Sequence, residues 1–190
     1  PITIEDRYPG ARAMIQGTLS GARVVLQLEI GVADVVVPDP GWVDYPTLLE
    51  MESPRILAYQ PATAVAEKFQ TMIEKGLLNS RTKDYYDIWM LSRTVRFEGS
   101  ELRDAIRATF SQRNTDVPYT QPSVLGDEYA DQQATRPQWI AFVRRMRASG
   151  IETLDDFASV VQGVSTFIMP AAAAAAAGER FDLIWEPGRG

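Results

Sequence analysis

The sequence contains no cysteine and no histidine among its 190 residues. The absence of cysteine excludes disulfides, cysteine-based zinc sites and thiol catalysis within these residues. The absence of histidine excludes a histidine general base, a histidine-containing triad and an imidazole metal site. Any chemistry that the chain carries must therefore use carboxylates, lysine, arginine, serine, threonine or tyrosine.

Net positive charge is also lacking, because 25 acidic residues outnumber 19 lysines and arginines and give a formal net charge of −6. This balance argues against a uniformly basic nucleic-acid surface, although it is compatible with local basic patches. No apolar run is expected to be long enough to span a membrane, and the first residues do not resemble a signal peptide. These features favour a cytoplasmic location and no membrane partner. Because the chain begins with Pro1 and its first residues are typical of the middle of a domain, we expect it to start inside a longer gene product.

The remaining composition is that of a globular protein, with 45% hydrophobic residues. β-Branched and aliphatic residues between 11 and 37 predict strands, as do two shorter apolar runs at Pro46–Leu49 and Arg55–Tyr59. From Pro61 onward the apolar spacing becomes helical. We therefore predict an α+β fold, with residues 1–59 forming part of a sheet domain and residues 60–190 forming a mainly helical lobe.

Helix signals recur through the second region. Pro61 suits the first turn of a helix, and Gly76 marks its end. Further helices are predicted over Asp84–Arg93, from an N-cap at Ser100 and from Pro137. Another helix is predicted after a capping box formed by Thr153 and Asp156. The alanine run Ala171–Ala177 favours a helix, and a last strand is predicted within Phe181–Trp185.

A lysine and two aspartates form the most informative pattern. Lys68 lies at the edge of the apolar stripe of its helix, between Val65 and Met72. Asp84 and Asp87 share one stripe of the next helix. Charged side chains at such positions face an interface or a cleft, where they must be paired. We therefore expect Lys68 to lie within a few ångströms of Asp84 or Asp87.

A structural explanation of the same three residues stays open. In that explanation Asp84 is the N-cap of its helix and Asp87 lies in the favourable first turn. Lys68 is then only their ion-pair partner, since structural ion pairs occupy such positions too.

Four segments stand in a distinctive order and spacing: Leu28–Val36, Pro46–Leu49, Ala66–Phe69 and Asn79–Trp89. Together they resemble the AbiEii/AbiGii family of nucleotidyltransferase toxins. The resemblance covers residues 10–115 well and continues loosely to Phe181–Gly188. It implies a polymerase-β-type nucleotidyltransferase sheet, present here in part, followed by a helical lobe.

The resemblance also implies an activity and its partners. Members of the family transfer a nucleotidyl group from a nucleoside triphosphate, with Mg²⁺ held by acidic residues. Some members are thought to modify tRNA ends, and the family includes toxins of toxin–antitoxin and phage-defence systems. The implied partners are therefore a nucleotide, an acceptor such as tRNA and a cognate antitoxin protein.

Individual residues take roles from the same resemblance. Glu29 matches a metal-binding catalytic acid, although the family usually has Asp there. Lys68 matches a lysine that contacts nucleotide phosphates. Asp84 and Asp87 match the catalytic acids of the last motif, one of which orients Lys68 or helps to position the acceptor. Two further candidates for phosphate contacts, with solvated surface charge as the alternative, are Arg81 and Lys83.

The chain departs from the family in its first motif. No Asp-x-Asp pair occurs in the sequence, and the nearest spacing, Glu50-Met51-Glu52, lacks the preceding Gly-Ser turn. Without those acids, two-metal transfer loses its main electrostatic stabilisation. We therefore expect this chain by itself to be inactive. The alternative to an enzyme is a degenerate, non-catalytic protein that binds nucleotide, RNA or an antitoxin.

Overall fold

The structure is a computed structural model, and it describes residues 10–32, 35–151 and 156–188. The chain forms two compact units, residues 1–35 and residues 36–190. Within the described residues there are helices and two-stranded antiparallel sheets, so the predicted α+β class is confirmed. The polymerase-β-type sheet and the domain boundary after residue 59 stay predictions.

The first unit is a β-hairpin. Strand β1 (Gly10–Leu19) pairs antiparallel with β2 (Ala22–Gly31), with Leu19 opposite Ala22 at the turn. The two turn residues, Ser20 and Gly21, both have positive φ angles, of 49° and 83°. Two such residues produce the turn whose twist matches paired strands. The strand prediction for residues 11–37 is thus confirmed as far as Gly31, whereas Val35–Val37 lie outside the strands.

The second unit contains a short hairpin followed by helices. Strand β3 (Gly41–Asp44) pairs antiparallel with β4 (Arg55–Ala58). The later elements are α1 (Pro61–Lys75), α2 (Thr82–Thr94), β5 (Phe97–Glu98), α3 (Gly99–Gln112), α4 (Asp127–Ala130), α5 (Arg136–Ala148), α6 (Phe157–Ala177) and β6 (Ile184–Trp185), with 3₁₀ turns at Gly76–Leu78 and Ser123–Leu125.

The predicted strand at Pro46–Leu49 is wrong. Pro46 and Thr47 belong to no regular element, Leu48 and Leu49 form a bend, and the Thr47 hydroxyl donates hydrogen bonds to the carbonyl oxygens of Leu49 and Met51. A proline cannot donate to a strand ladder, and local side-chain bonds offer the backbone an alternative to pairing. The partner of β4 is therefore the preceding segment, Gly41–Asp44.

Most helix boundaries agree with the local signals. Pro61 is in the first turn of α1, and Gly76 ends it with a φ of 56°. Asp156 caps α6, where its carboxylate accepts hydrogen bonds from the backbone N–H groups of Ala158 and Ser159. Thr153, the other half of the predicted capping box, lies outside the described residues.

The N-cap predicted at Ser100 is wrong, because α3 begins at Gly99 and its N-cap is Glu98. The backbone N–H of Gly99 donates to the Leu183 carbonyl at 2.8 Å, where β5 pairs with β6. The pairing of these two short strands, distant in sequence, therefore determines where the helix starts.

The core of the second unit lies among its long helices. Helix α1 packs on α3, and α6 packs on both α2 and α3. A Cβ atom at Gly163 of α6 would lie 2.9 Å from the Trp89 ring of α2, so glycine is what permits this close approach. The largest fully buried side chains include Tyr85, Tyr129, Phe69, Phe110, Met72 and Ile88.

Helix α6 corrects the expectation that no apolar run is long enough to span a membrane. With 21 residues and a mean hydropathy of 1.5, it is long and apolar enough to cross a membrane, by length and composition only. It includes the alanine run, and the side chains that it buries face the other helices of the unit. Since 56% of its most apolar window is buried inside the protein, it has the surroundings of a core helix.

Candidate functional site

The candidate site lies where α1 meets the beginning of α2. The Lys68 ammonium donates to Asp84 Oδ1 at 3.1 Å and to Asp87 Oδ2 at 2.9 Å. Asp84 and Asp87 are one helical turn apart, so a lysine on the neighbouring helix reaches both. The predicted contact between Lys68 and these acids is therefore confirmed, while their functional roles stay predictions.

Two more cations complete the cluster. Arg81 Nε donates to Asp84 Oδ2 at 2.6 Å, and its Nη2 contacts Asp84 Oδ1 at 3.4 Å. Lys83 donates to Asp87 Oδ2 at 2.6 Å and to Oδ1 at 2.8 Å. Each carboxylate is thus shared by Lys68 and one flanking cation. We call these five residues the site cluster; its three cations and two anions leave a formal charge of +1.

Burial within the site cluster is graded. The Asp84 side chain is only 5% exposed, whereas those of Asp87 and Lys68 are 21% and 26% exposed. Arg81 and Lys83 are more exposed than either acid. Asp84, the buried acid, is therefore held by Lys68 on one side and Arg81 on the other, while the Lys68 side chain remains partly exposed to solvent.

The pKa of Lys68 reflects two opposing effects. Partial burial by itself lowers this pKa. The hydrogen bond and charge of Asp87, together with those of Asp84, outweigh burial, so the pKa lies above its ordinary value of 10.5. Lys68 is therefore a fixed positive charge at neutral pH and is not a candidate general base.

A buried network holds the loop before α2. The backbone N–H of Arg81 donates to Asn79 Oδ1 at 3.0 Å, which is an Asx turn. The Tyr129 hydroxyl donates to the Asn79 carbonyl at 2.6 Å, and the Tyr85 hydroxyl donates to the Val124 carbonyl at 3.0 Å. Burial raises the pKa of Tyr129 to about 12 and that of Tyr85 further, so both remain neutral donors.

This network was not predicted from the sequence. Asn79 carries a local signal, since an asparagine side chain that bonds to the backbone two residues on is typical of an Asx turn, and Arg81, two residues after Asn79, is the N-cap of α2. Tyr129 carries none, because it is 50 residues from Asn79 along the chain. Its ring stacks on Tyr85 with centroids 5.0 Å apart, which ties the 123–130 segment to α2.

One part of the structural explanation is wrong. The N-cap of α2 is Arg81, not Asp84, and Asp84 lies inside the first turn. The Asp84 carboxylate bonds to Lys68 and Arg81 side chains. Both of these partners of Asp84 are cations. Two explanations of Lys68 remain: it is a structural ion-pair partner, or it is a cation that binds a ligand.

Glu29 lies in the other compact unit. Its exposed carboxylate accepts hydrogen bonds from Arg12 at 2.7 Å and Gln27 at 2.9 Å, both within the same hairpin. Among residues 10–32, 35–151 and 156–188, no group of three or more acidic side chains is arranged to hold a metal ion. The described side chains therefore do not fit the implied Mg²⁺, and Glu29 as a catalytic and metal-binding residue stays a prediction.

The comparison with protein families places this geometry in context. The profile of the family described as nucleotidyl transferase AbiEii toxin, type IV TA system, matches residues 1–163. The match includes both helices of the site cluster and most of the described helical unit. No curated protein and no solved structure matches the chain significantly.

Proposed function

Because the chain belongs to the AbiEii nucleotidyl transferase toxin family of type IV toxin–antitoxin systems, we propose that its site cluster binds the phosphates of a nucleoside triphosphate. In this proposal the family's reaction is the transfer of a nucleotidyl group from the triphosphate to an acceptor such as tRNA, in the cytoplasm, and the chain by itself is incomplete for it because it has no Asp-x-Asp pair. Such a system pairs a toxin with an antitoxin, so an antitoxin is the protein partner that the family implies.

The observation that carries the proposal is the placement of the Lys68 ammonium. It has three N–H donors, and two of them bond to Asp84 and Asp87. Among the described residues no acceptor takes the third, and the side chain is 26% exposed. An ammonium oriented by two carboxylates and open to solvent on one side suits a phosphate oxygen as its next ligand.

The flanking cations add to the attraction of an anion. Arg81 and Lys83 are more than half exposed, and each remains bonded to an acid of the cluster. Asp84 and Asp87 thereby act as positioning residues: they orient all three cations toward the same end of α2. The formal charge of +1 favours a polyphosphate even though the whole chain is acidic.

A second candidate is a non-catalytic nucleotide-, RNA- or antitoxin-binding protein. The observation that favours it is that both acids of the site cluster are already engaged by cations. The chain also has no Asp-x-Asp pair. Mg²⁺ and nucleoside triphosphate are the cofactors of the enzymatic proposal, and only the triphosphate has candidate ligands among the described residues.

Nucleotide binding by the purified chain tests the phosphate site. We expect Lys68→Ala to weaken binding of ATP, GTP, CTP or UTP, whichever the wild type binds, at least ten-fold, equivalent to about 1.4 kcal/mol. Lys75→Ala is the matched control, because Lys75 is an exposed lysine in the last turn of the same helix. Calorimetric titration measures both variants, and equal affinity of Lys68→Ala and wild type would refute the phosphate role.

Transfer of label tests whether this chain is catalytic by itself. With Mg²⁺, labelled nucleoside triphosphates and tRNA, we expect no incorporation by this chain alone, because the acids of the first motif are absent from its sequence. Incorporation that depends on Lys68 would overturn that expectation and exclude the non-catalytic candidate.

A further inference from the structure

Helix α5 presents a second concentration of positive charge, outside the site cluster. Its 13 residues include four arginines and no acidic residue, in a chain whose net charge is −6. The apolar side, with Trp139, Phe142 and Val143, is buried. The four arginines of α5 are exposed: Arg136, Arg144, Arg145 and Arg147.

Three of these arginines, Arg136, Arg144 and Arg145, form no ion pair and no side-chain hydrogen bond within the part of the chain that the structure describes. Exposed arginines without an acidic partner give this side of the helix a positive potential. A polyanion would be attracted to it. We call the exposed side of α5 that carries these three residues the arginine face.

The shape of the arginine face suits an extended ligand. Arg136 and Arg144 are eight residues apart, which is about 12 Å along a helix axis. A shallow depression of about 540 Å³ lies between them, lined by Gln133, Arg136, Pro137, Ile140, Ala141 and Arg144. Two guanidinium groups on long, flexible side chains at this separation can contact different phosphates of one strand, with the depression beside them for a ribose or base.

We infer, resting on the proposed nucleotidyl transfer, that the arginine face binds the sugar–phosphate backbone of an RNA acceptor. The chemistry of the face favours RNA over a protein partner. Protein interfaces are centred on buried aromatic or aliphatic anchors, but Ile140 is the one large apolar side chain that α5 exposes, at 50%. Interfaces with nucleic acids are polar and strongly positive.

The arginine face is also mechanically joined to the site cluster. Tyr86, which directly precedes Asp87 on α2, packs its ring on Phe142 and Trp139 of α5 with centroid distances of 5.1 and 6.5 Å. A strand of RNA held by α5 would therefore keep a fixed relation to the beginning of α2, where the nucleotide phosphates are proposed to bind.

RNA binding by the full chain tests the inference. The probe is a fluorescein-labelled RNA hairpin with a single-stranded 3′ end, and anisotropy gives the Kd at several NaCl concentrations. We expect the triple variant Arg136→Gln/Arg144→Gln/Arg145→Gln to raise the Kd at least ten-fold at low salt. The slope of log Kd against log salt should fall by about 2, because each lost phosphate contact removes about 0.7 for a single strand.

A second triple variant, Arg96→Gln/Arg107→Gln/Arg180→Gln, is the matched control. It removes the same charge from exposed arginines outside α5, and we expect its Kd to stay within two-fold of the wild type. Equal losses in both triples would assign binding to net charge alone and overturn the inference. So would unaltered binding by the α5 triple, absence of RNA binding by the wild type, or displacement of the RNA by polyglutamate at matched charge, which assigns the face to an acidic protein.

Two crossed measurements keep this result separate from the phosphate site. Lys68→Ala should bind the RNA hairpin like the wild type, and the α5 triple should bind nucleotide like the wild type. If only Lys68→Ala fails to behave as proposed, the phosphate site is refuted and the arginine face stands. If only the α5 triple fails, the reverse holds.

Discussion

The site cluster and the arginine face hold positive charge in opposite ways. Lys68 contacts two carboxylates, one of which is almost fully buried, and its surroundings fix its position. Arg144 and Arg145 project from an exposed helix surface and pair with no acid among the residues that the structure describes. The first arrangement makes charge part of the packed structure, whereas the second leaves it available and adaptable.

This difference separates stability from binding. Removing or reversing a charge that partly buried groups depend on must affect folding as well as ligands. Changing an exposed, unpaired charge should affect only what it binds, because such surface substitutions usually alter stability by no more than about 0.5 kcal/mol. Thermal and chemical unfolding of matched variants can therefore test whether the two regions differ as described.

Reversal of the central charge should produce the largest effect. Lys68→Glu places a third carboxylate between Asp84 and Asp87, so three like charges meet at a partly buried position. We expect the free energy of unfolding to fall by about 3–5 kcal/mol, the range for breaking a buried pair. Urea unfolding measures it, with Lys75→Glu on the exposed end of α1 as the control. A loss below about 1 kcal/mol would mean that the cluster is too solvated to be structural.

Simple removal of the same charge should cost less. In Lys68→Ala, Arg81 still neutralises Asp84 and Lys83 still neutralises Asp87. Neither acid is then left unpaired, so we expect a loss of less than about 2 kcal/mol, well below the 3–5 kcal/mol for an orphaned buried charge. Thermal melts without ligand measure it. A larger drop would favour the purely structural explanation of Lys68 and remove its assignment to phosphate.

The arginine face should be the least sensitive of the three to substitution. We expect the triple variant Arg136→Gln/Arg144→Gln/Arg145→Gln to unfold within about 0.5 kcal/mol of the wild type, or slightly above it, because like-charge repulsion on α5 is relieved. The same urea titration tests this. A loss above about 1 kcal/mol would show that these arginines have structural partners, and the contrast with the site cluster would fail.

Features with a local cause could be predicted from the sequence. Helical spacing in two consecutive segments was sufficient to bring Lys68 near Asp84 and Asp87, because each helix fixes which side chains share a face. Pro61, Gly76 and Asp156 marked helix ends through their own backbone or capping chemistry. For these residues the cause of the structure lies within a few positions along the chain.

Features with a distant cause could not be predicted. The start of α3 depends on the bond from Gly99 to Leu183, and the loop before α2 depends on Tyr129. No periodicity reports such contacts, since they arise only when the chain has folded. The ion pairs of Arg81 and Lys83 are intermediate: their spacing from Asp84 and Asp87 permits pairing on a helix, but the sequence indicated phosphate contacts or solvated surface charge for these two residues and did not specify the ion pairs.

The smallest expected effect is the pH dependence of the Lys68 contribution to stability. The pKa of Lys68 in the folded chain is raised above 10.5, because attraction by Asp87 and Asp84 outweighs burial. The folded state therefore keeps this proton to higher pH than the unfolded state, and stability falls as protons are lost. We expect the difference in unfolding free energy between wild type and Lys68→Met to be constant from pH 6 to about pH 9 and to shrink as the pH rises through the folded pKa. Urea titrations of both proteins across this range measure it, and the buried tyrosines cancel in the difference because both proteins contain them. A difference that instead grows as the pH rises toward pH 10 would mean that burial dominates and that the Lys68 pKa is lowered, because the unfolded state would then keep the proton to higher pH than the folded state. Lys68 would then not be the fixed cation on which the contrast with α5 depends.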